Sequence, residues 1–466
     1  MSRYLIVVFG FLTGCALYHP QPLSPEKTAA QLESRRLDEP ALRKILEFYE
    51  ASTISDWPKT NWNLKELTAA AFNFHPDLQV ALARMELAEA GVKTARQRPN
   101  PTVTVTPEYN TTTSVPSPWG PSAAVDLPLE TMGKRSKRIA ASQHAAESAR
   151  CDYLSAEWKV VSEVRAALLD FKTAEQRRTL LEKQSAAQEH VAKLSEQRFN
   201  AGEFSRTDLT IAQINLTKTQ VELSDARSKY GDAKVRLAQA VGVSTAALDG
   251  LTFEFDFSQA APAGLTSAEA RRVALLSRPD IAAGLADYAE TEDNLHLEIA
   301  KQYPDLHLNP GYQYDQGDNK WSVGLTLELP LLNQNRGPIA EARAKRKLAA
   351  ARFIQLQSQV IADIDRALLD YHAAEEQLKA VETLFHSSDS QHQFVLAQSK
   401  AGVADTLDVD NAEVEFDNAA LARLDSQAKL QSALGALQDS LQRPDDYLSA
   451  FFQHPPAIAT EKEAQK

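Results

Sequence analysis

Ten histidines, two cysteines and a large set of carboxylates are the side chains of this 466-residue chain that could bind a metal, attack a substrate or move a proton. A zinc site needs three or four Cys, His or carboxylate ligands at short, regular spacings. The histidines show no such spacing, and His386 with His392 reads as a surface pair. Cys15 and Cys151 are too few for a disulfide framework or a thiolate site, so each is read singly. The sequence has no Gly-rich phosphate loop after a strand, no nucleophile elbow and no His-Glu-x-x-His helix. No catalytic residue, metal site or cofactor is assigned, and the chain is expected not to be an enzyme. A formal charge of −12 offers no basic footprint for nucleic acid.

One thiol does stand in a reactive context. Arg3 precedes an apolar run, Tyr4 to Leu12 (YLIVVFGFL), that is too short to cross a bilayer as a helix and reads as an export signal. It ends in Leu12-Thr13-Gly14-Cys15 (LTGC), which resembles the bacterial lipobox, where small residues admit the signal peptidase and the thiol takes the lipid. The mature chain is then expected to begin at a lipidated Cys15. Ala16 follows instead of the Asp that would resemble an inner-membrane retention signal, so outer-membrane sorting is expected. Cys151 falls in a long helical pattern and reads as a small buried apolar side chain.

The elements around these residues are written twice. Ala167 to Phe171 (ALLDF) returns as Ala367 to Tyr371 (ALLDY), and Ala201-Gly202 returns as Ala401-Gly402. In the same register His75-Pro76-Asp77-Leu78 is echoed by Arg278-Pro279-Asp280-Ile281, Val125 to Leu129 (VDLPL) by Leu327 to Leu331 (LELPL), and Ile139-Ala140 by Ile339-Ala340. One duplication of about 200 residues means two large, similar units, not a solenoid.

Each unit opens with a helical stretch, Leu64 to Arg98 or Ser267 to Gln302, each interrupted or entered by a Pro-Asp step that suits a helix start. Amphipathic strands follow. Val103, Val105 and Tyr109 alternate with Thr102, Thr104, Thr106 and Glu108, and Val125, Leu127 and Leu129 lie opposite Asp126. Leu306, Leu308, Tyr312 and Tyr314 alternate with His307, Asn309, Gln313 and Asp315; Trp321, Val323, Leu325, Leu327 and Leu329 alternate with Ser322, Thr326 and Glu328. A transmembrane β-strand needs about 9 to 11 residues with apolar side chains facing lipid. Four strands cannot close a barrel whose usual minimum is about eight, so a membrane role implies a barrel shared between chains. The connectors Thr111 to Pro121 (TTTSVPSPWGP) and Gln316 to Asn319 (QGDN) are turn-rich.

A proline-free stretch then runs from Lys134 to Phe199, roughly 100 Å at a helical rise of about 1.5 Å per residue. Its counterpart runs from Ile339 to Lys400, where Ile361, Ile364, Leu368, Tyr371, Leu378, Val381 and Phe385 form a coiled-coil-like seam. Each ends at an Ala-Gly pair, where glycine supplies the left-handed position past a helix end. Ser205 or Thr207 can cap a returning helix, about Asp208 to Val241, and Asp405 or Thr406 one from Leu407 to Leu441.

Taken together, the lipobox, the tandem repeat, two strand pairs and two long hairpins closing at Ala-Gly tips resemble the TolC family of outer-membrane efflux channels, from Leu12 to about Leu441. The resemblance implies a mostly α fold with a small β part: a homotrimer whose four strands per chain build a twelve-stranded outer-membrane β-barrel, continued by a long periplasmic α-helical barrel. The layout then reads 1–14 lipoprotein signal, 15–63 N-terminal equatorial segment, 64–263 first repeat (β-hairpin 101–129, helical hairpin 134–241, equatorial 242–263), 264–441 second repeat (β-hairpin 306–331, helical hairpin 339–441) and 442–466 C-terminal segment. It also implies a periplasmic gate. Matching Gly402 to the family's tip glycine puts Asp408 on the first acidic ring, with Asn411 where the second would fall and Asp405 and Asp410 nearby. Capping of a helix N-terminus is an equally good reading of Asp408. Ala201, Gly202 and Ser205, with Ala401 and Gly402, would dock a periplasmic adaptor, the membrane fusion protein that links the channel to an inner-membrane RND-type pump. Leu129 to Arg135 (LETMGKR) looks like a turn of the family's heavy-metal cation efflux branch. Multidrug efflux and type I secretion are the rivals within the family. A lipid-tethered periplasmic coiled-coil scaffold is the rival outside it.

Overall fold

The computed structural model describes residues 18–50, 57–111, 116–261 and 266–442. In chain order, α1 (Pro25–Ser34) and α2 (Pro40–Glu50) precede β1 (Asn61–Trp62), α3 (Leu64–Phe74), α4 (Pro76–Ala95), β2 (Thr102–Thr106), β3 (Ser122–Leu129), α5 (Lys134–Asn200) and α6 (Arg206–Val241). After a 3-10 turn, Thr245–Leu248, and β4 (Thr252–Phe253) come α7 (Ser267–Ser277), α8 (Pro279–Ala300), β5 (Leu306–Asp315), β6 (Asp318–Leu327), α9 (Arg336–Lys400) and α10 (Thr406–Leu441).

The Pro-Asp step interrupts each opening stretch, so each is two helices. His75 and Arg278 both precede proline and are extended, with ψ of 124° and 127°, because the proline ring excludes the residue before it from the helical region. The break also caps: the Asp77 N–H donates to His75 Nδ1 at 3.2 Å. Asn63 and Glu66 form a reciprocal capping box that starts α3.

The core gathers where these short helices meet the middle of the long ones. Trp62, Leu67, Val161, Val164, Leu168, Leu237 and Val241 are all fully buried around β1 and β4, which pair in parallel. The second half builds a smaller cluster from Ile281, Val360, Ile364, Leu368, Leu434 and Leu437. Val360 is buried in place of the expected Ile361, which is only half-buried. Each such side chain contributes on the order of 1.5–3 kcal/mol by leaving water. A polar clamp joins the halves: the buried Arg165 guanidinium donates to Gly435 O, Gln438 Oε1 and Asp439 Oδ1, and Ser162 Oγ donates to Asp439 Oδ2. Gly435 lets the guanidinium approach closely, since a Cβ there would sit 3.1 Å from Arg165 Nε and the arginine would have to give way by a few tenths of an ångström.

At one end of this bundle lies an antiparallel sheet in the order β2-β3-β5-β6. β3 and β5 join the two halves directly. β2 is shorter than the expected strand, although an isolated bridge, Tyr109 to Trp119, prolongs the pairing. The β5-β6 turn uses only Gln316 and Gly317, at φ +52° and +111°. Asp318 and Asn319, expected in the connector, therefore belong to β6, where they pair with Asp315 and Tyr314.

Candidate functional site

The sheet is the first functional surface, and its register defines it. Directly opposed residues share a face. Val103 faces Val125 and Val105 faces Ala123; Leu127 and Leu129 face Leu308 and Leu306; these in turn face Leu325 and Leu327, with Pro310 opposite Val323 and Tyr312 opposite Trp321. Every residue in that network is apolar, and much of it is bare: Trp321 is 81 % and Val323 77 % exposed. The other face carries Thr102, Thr104, Ser122, Asp126, His307, Asn309, Gln313, Ser322 and Thr326. There His307 Nδ1 lies 3.0 and 3.1 Å from the two Asp126 oxygens, and Asn309 Nδ2 donates to Thr326 Oγ1 at 2.8 Å. Water would not tolerate so continuous an apolar face. Lipid would, provided the outer edges of β2 and β6, which have no strand partner among the described residues, find one.

The sheet is fastened to the helices at its base. Lys134 Nζ donates to Tyr303 O at 2.6 Å and Asp305 Oδ1 at 2.8 Å, and the Thr131 N–H donates to the same carboxylate at 2.9 Å. The 129–135 turn bends through two consecutive left-handed residues, Met132 and Gly133, at φ +53° and +69°.

The hairpin tips are the second surface. Gly202 and Gly402 adopt φ +81° and +73°, and the N–H groups of Glu203 and Val403 close the helix ends on Arg198 O and Gln398 O at 2.9 Å each. Ala201, Gly202, Ser205, Ala401 and Gly402 are all exposed. Of the alternative caps, Ser205 and Asp405 are the ones used, each in a capping box with Asp208 or Asp408. Asp408 is exposed, and its Oδ2 accepts the Asp405 N–H at 3.1 Å. Asn411 is exposed one turn further on. Asp405 is also held by the other tip, where Arg198 Nη2 donates to its Oδ2 at 2.6 Å; that bond keeps the Asp405 carboxyl below the usual range. Asp410 points the other way, into the seam between α5 and α10. It is buried 2.6 Å from His190 Nδ1, and burial pushes its carboxyl up. The acidic residues expected around the gate therefore have three different environments.

Sequence reasoning missed Arg198, His190 and Asp417 as partners of this region. Their only signal was charge on a long helix, and contacts between separate hairpins leave no local pattern. Among the described residues no group of three His, Cys, Asp or Glu side chains could hold a metal, and no helix is long and apolar enough to cross a membrane. Cys15 and the 1–14 signal lie outside the described residues, as do all but Gln442 of the 442–466 segment.

A sheet with one lipid-compatible face, continued by paired helices of this length, defines a membrane channel body with an α-helical extension. The family model described as outer membrane efflux protein matches residues 68–243 and 270–442, and the chain belongs to that family. It is 25 % identical over 276 residues to the cobalt-zinc-cadmium resistance protein CzcC of Cupriavidus metallidurans. That match takes in 59 % of this chain and 64 % of CzcC, less than two thirds of that relative's length. Identity to the multidrug resistance outer membrane protein MdtQ of Escherichia coli O6:H1 is 23 % over 400 residues, covering 76 % of this chain and 80 % of MdtQ. The fold is shared with the solved outer-membrane channel OprN at a TM-score of 0.67 and 20 % identity, covering 92 % of this chain and 98 % of OprN.

Proposed function

We propose that this protein is the outer-membrane channel of a tripartite efflux system, receiving substrate from a periplasmic adaptor and an inner-membrane RND-type pump. The observation that carries the reading is the register: four strands present one face that is apolar from the Leu306–Leu327 pair to the Tyr312–Trp321 pair, with two edges open among the described residues. In lipid every backbone polar group must be paired. Three copies joined edge to edge close twelve strands, with the Asp126, His307 and Gln313 face lining the lumen. The paired helices continue the wall into the periplasm, and a lipid on Cys15 adds a second anchor.

Conductance of the detergent-extracted protein in a planar bilayer, with its assembly mass measured in parallel, tests this. A conducting trimer is expected; a non-conducting monomer would make the lipid-tethered scaffold the better account. Replacing Cys15 with Ser should abolish fatty-acid labelling while leaving conductance intact.

Heavy-metal cations are the cargo favoured by the similarity to CzcC, a cobalt-zinc-cadmium resistance protein, and by the 129–135 turn. The resemblance to MdtQ favours drugs instead. Sensitivity of a deletion strain to cobalt, zinc and cadmium against a drug panel decides between them.

For the gate, a threefold ring of Asp408 carboxylates would concentrate cations at the mouth, with Asp405 and Asn411 flanking it and the exposed tips at 201–205 and 401–402 taking the adaptor. Asp408→Asn keeps a capping acceptor and removes the charge. Unchanged cation blockade in that variant would place the ring elsewhere.

A further inference from the structure

Buried polar atoms in proteins are almost always hydrogen-bonded, and one layer of the helical hairpins departs from that rule. Asp417 on α10 is 0 % exposed, and no donor among the described residues reaches either carboxylate oxygen. In the same layer Gln184 of α5 is buried; its Nε2 donates to Asn418 Oδ1 at 2.6 Å, while its Oε1 accepts nothing. His392 of α9 stacks on Phe416 at a ring separation of 5.3 Å, and its buried Nδ1 is likewise unbonded. Three helices thus bring three incompletely satisfied polar side chains to one level of the seam where the second hairpin lies on the first.

The ligand that fits an isolated carboxylate in such a place is a proton. A charged carboxylate without a counter-ion pays its full desolvation penalty, whereas the neutral acid does not. The charged or titratable groups facing Asp417 are Lys183 from α5, His392 from α9 and Glu413 from its own helix. None lies within ion-pair distance of it, and burial outweighs them and pushes the Asp417 carboxyl up. Nearer the tip, the His190–Asp410 pair spans the same seam.

We propose that Asp417 is a proton-binding site that latches the second helical hairpin onto the first, neutral while α10 is packed on α5 and ionised only when the seam parts and water reaches it. The sign follows from linkage: an acid raised in the packed state stabilises the packing fully below its ordinary range and loses that contribution as pH climbs through the raised value. The seam is therefore tightest in acid and loosens as pH rises. Its consequence for transport rests on the channel reading, but the latch lies within one chain and is tested without it.

The test is a spin-label distance between the exposed positions Glu189 on α5 and Glu415 on α10, both changed to Cys in a Cys151→Ser background of the full-length protein. As pH is stepped upward from about 4, the fraction at longer distance should rise several-fold, with a midpoint above that of an ordinary carboxylate. In the isosteric Asp417→Asn protein the short distance should persist across that range. A wild-type distribution that ignores pH would overturn the latch, whether or not the variant folds. So would an Asp417→Asn protein that responds as the wild type does. Absence of channel conductance would leave these distances unaffected, so the two readings fail separately.

Discussion

Val323 offers a decisive perturbation of the sheet, because lipid and water predict opposite results. It is 77 % exposed and flanked on β6 by Ser322 and Gly324, whose positions belong to the polar face. If the apolar face met water, Val323→Arg would be an ordinary surface change, within about ±0.5 kcal/mol. If it faces hydrocarbon, arginine near the middle of the strand costs about 2–4 kcal/mol per chain, which corresponds to a roughly 30- to 800-fold shift in the folding equilibrium. Ser322→Arg, one residue away and turned to the polar face, should cost little in either case. The assay is urea unfolding of the protein reconstituted in liposomes, followed by tryptophan fluorescence, to which Trp321, whose ring packs 4.9 Å from Tyr312 in the same sheet, contributes one of five indoles. Equal midpoints for Val323→Arg and Ser322→Arg would refute the lipid-facing assignment and with it the shared barrel.

Two further perturbations probe the helical body. Glu157 is 1 % exposed, and burial raises its carboxyl to about 7, tempered by a hydrogen bond with Tyr153. Its contribution to stability is complete below its ordinary value of 4.5 and is lost as pH rises through about 7. Glu157→Gln should therefore gain up to roughly 3 kcal/mol over wild type at pH 8 and nothing at pH 4, read as the difference between paired thermal midpoints. Gly242 and Gly402 separate backbone strain from collision. Both have positive φ, but a Cβ on Gly242 would lie 2.8 Å from Phe74 C and O, whereas one on Gly402 meets nothing within 4 Å. Gly402→Ala should cost about 1–2 kcal/mol, and Gly242→Ala clearly more, in denaturant midpoints of the full-length protein. Equal costs would mean the packing of Gly242 against Phe74 can yield.

Much of the architecture was legible because its signals are local. Alternation of period two marked the strands, and proline and glycine marked helix boundaries. Local signals misplaced the details that depend on neighbours. The β5-β6 turn shortened because two left-handed residues suffice to reverse a twisted hairpin, and Val360 replaced Ile361 in the seam because the facing helices set which side is covered. Asp408 shows the limit at the site. Its spacing from Gly402 suits a ring, and its bond to the Asp405 N–H suits a cap; both follow from the same few residues.

The sequence alone determined the periodic faces, the long helices and their tips, since each depends on residues within a turn or two of one another. Only the tertiary structure decided that four separated strands align their apolar residues on one side of one sheet, that Arg198 reaches across to Asp405, and that Asp417 lies sealed between three helices. Those outcomes depend on the register between elements hundreds of residues apart. That register is selected by summed packing and desolvation over the whole interface, which no short stretch of sequence encodes.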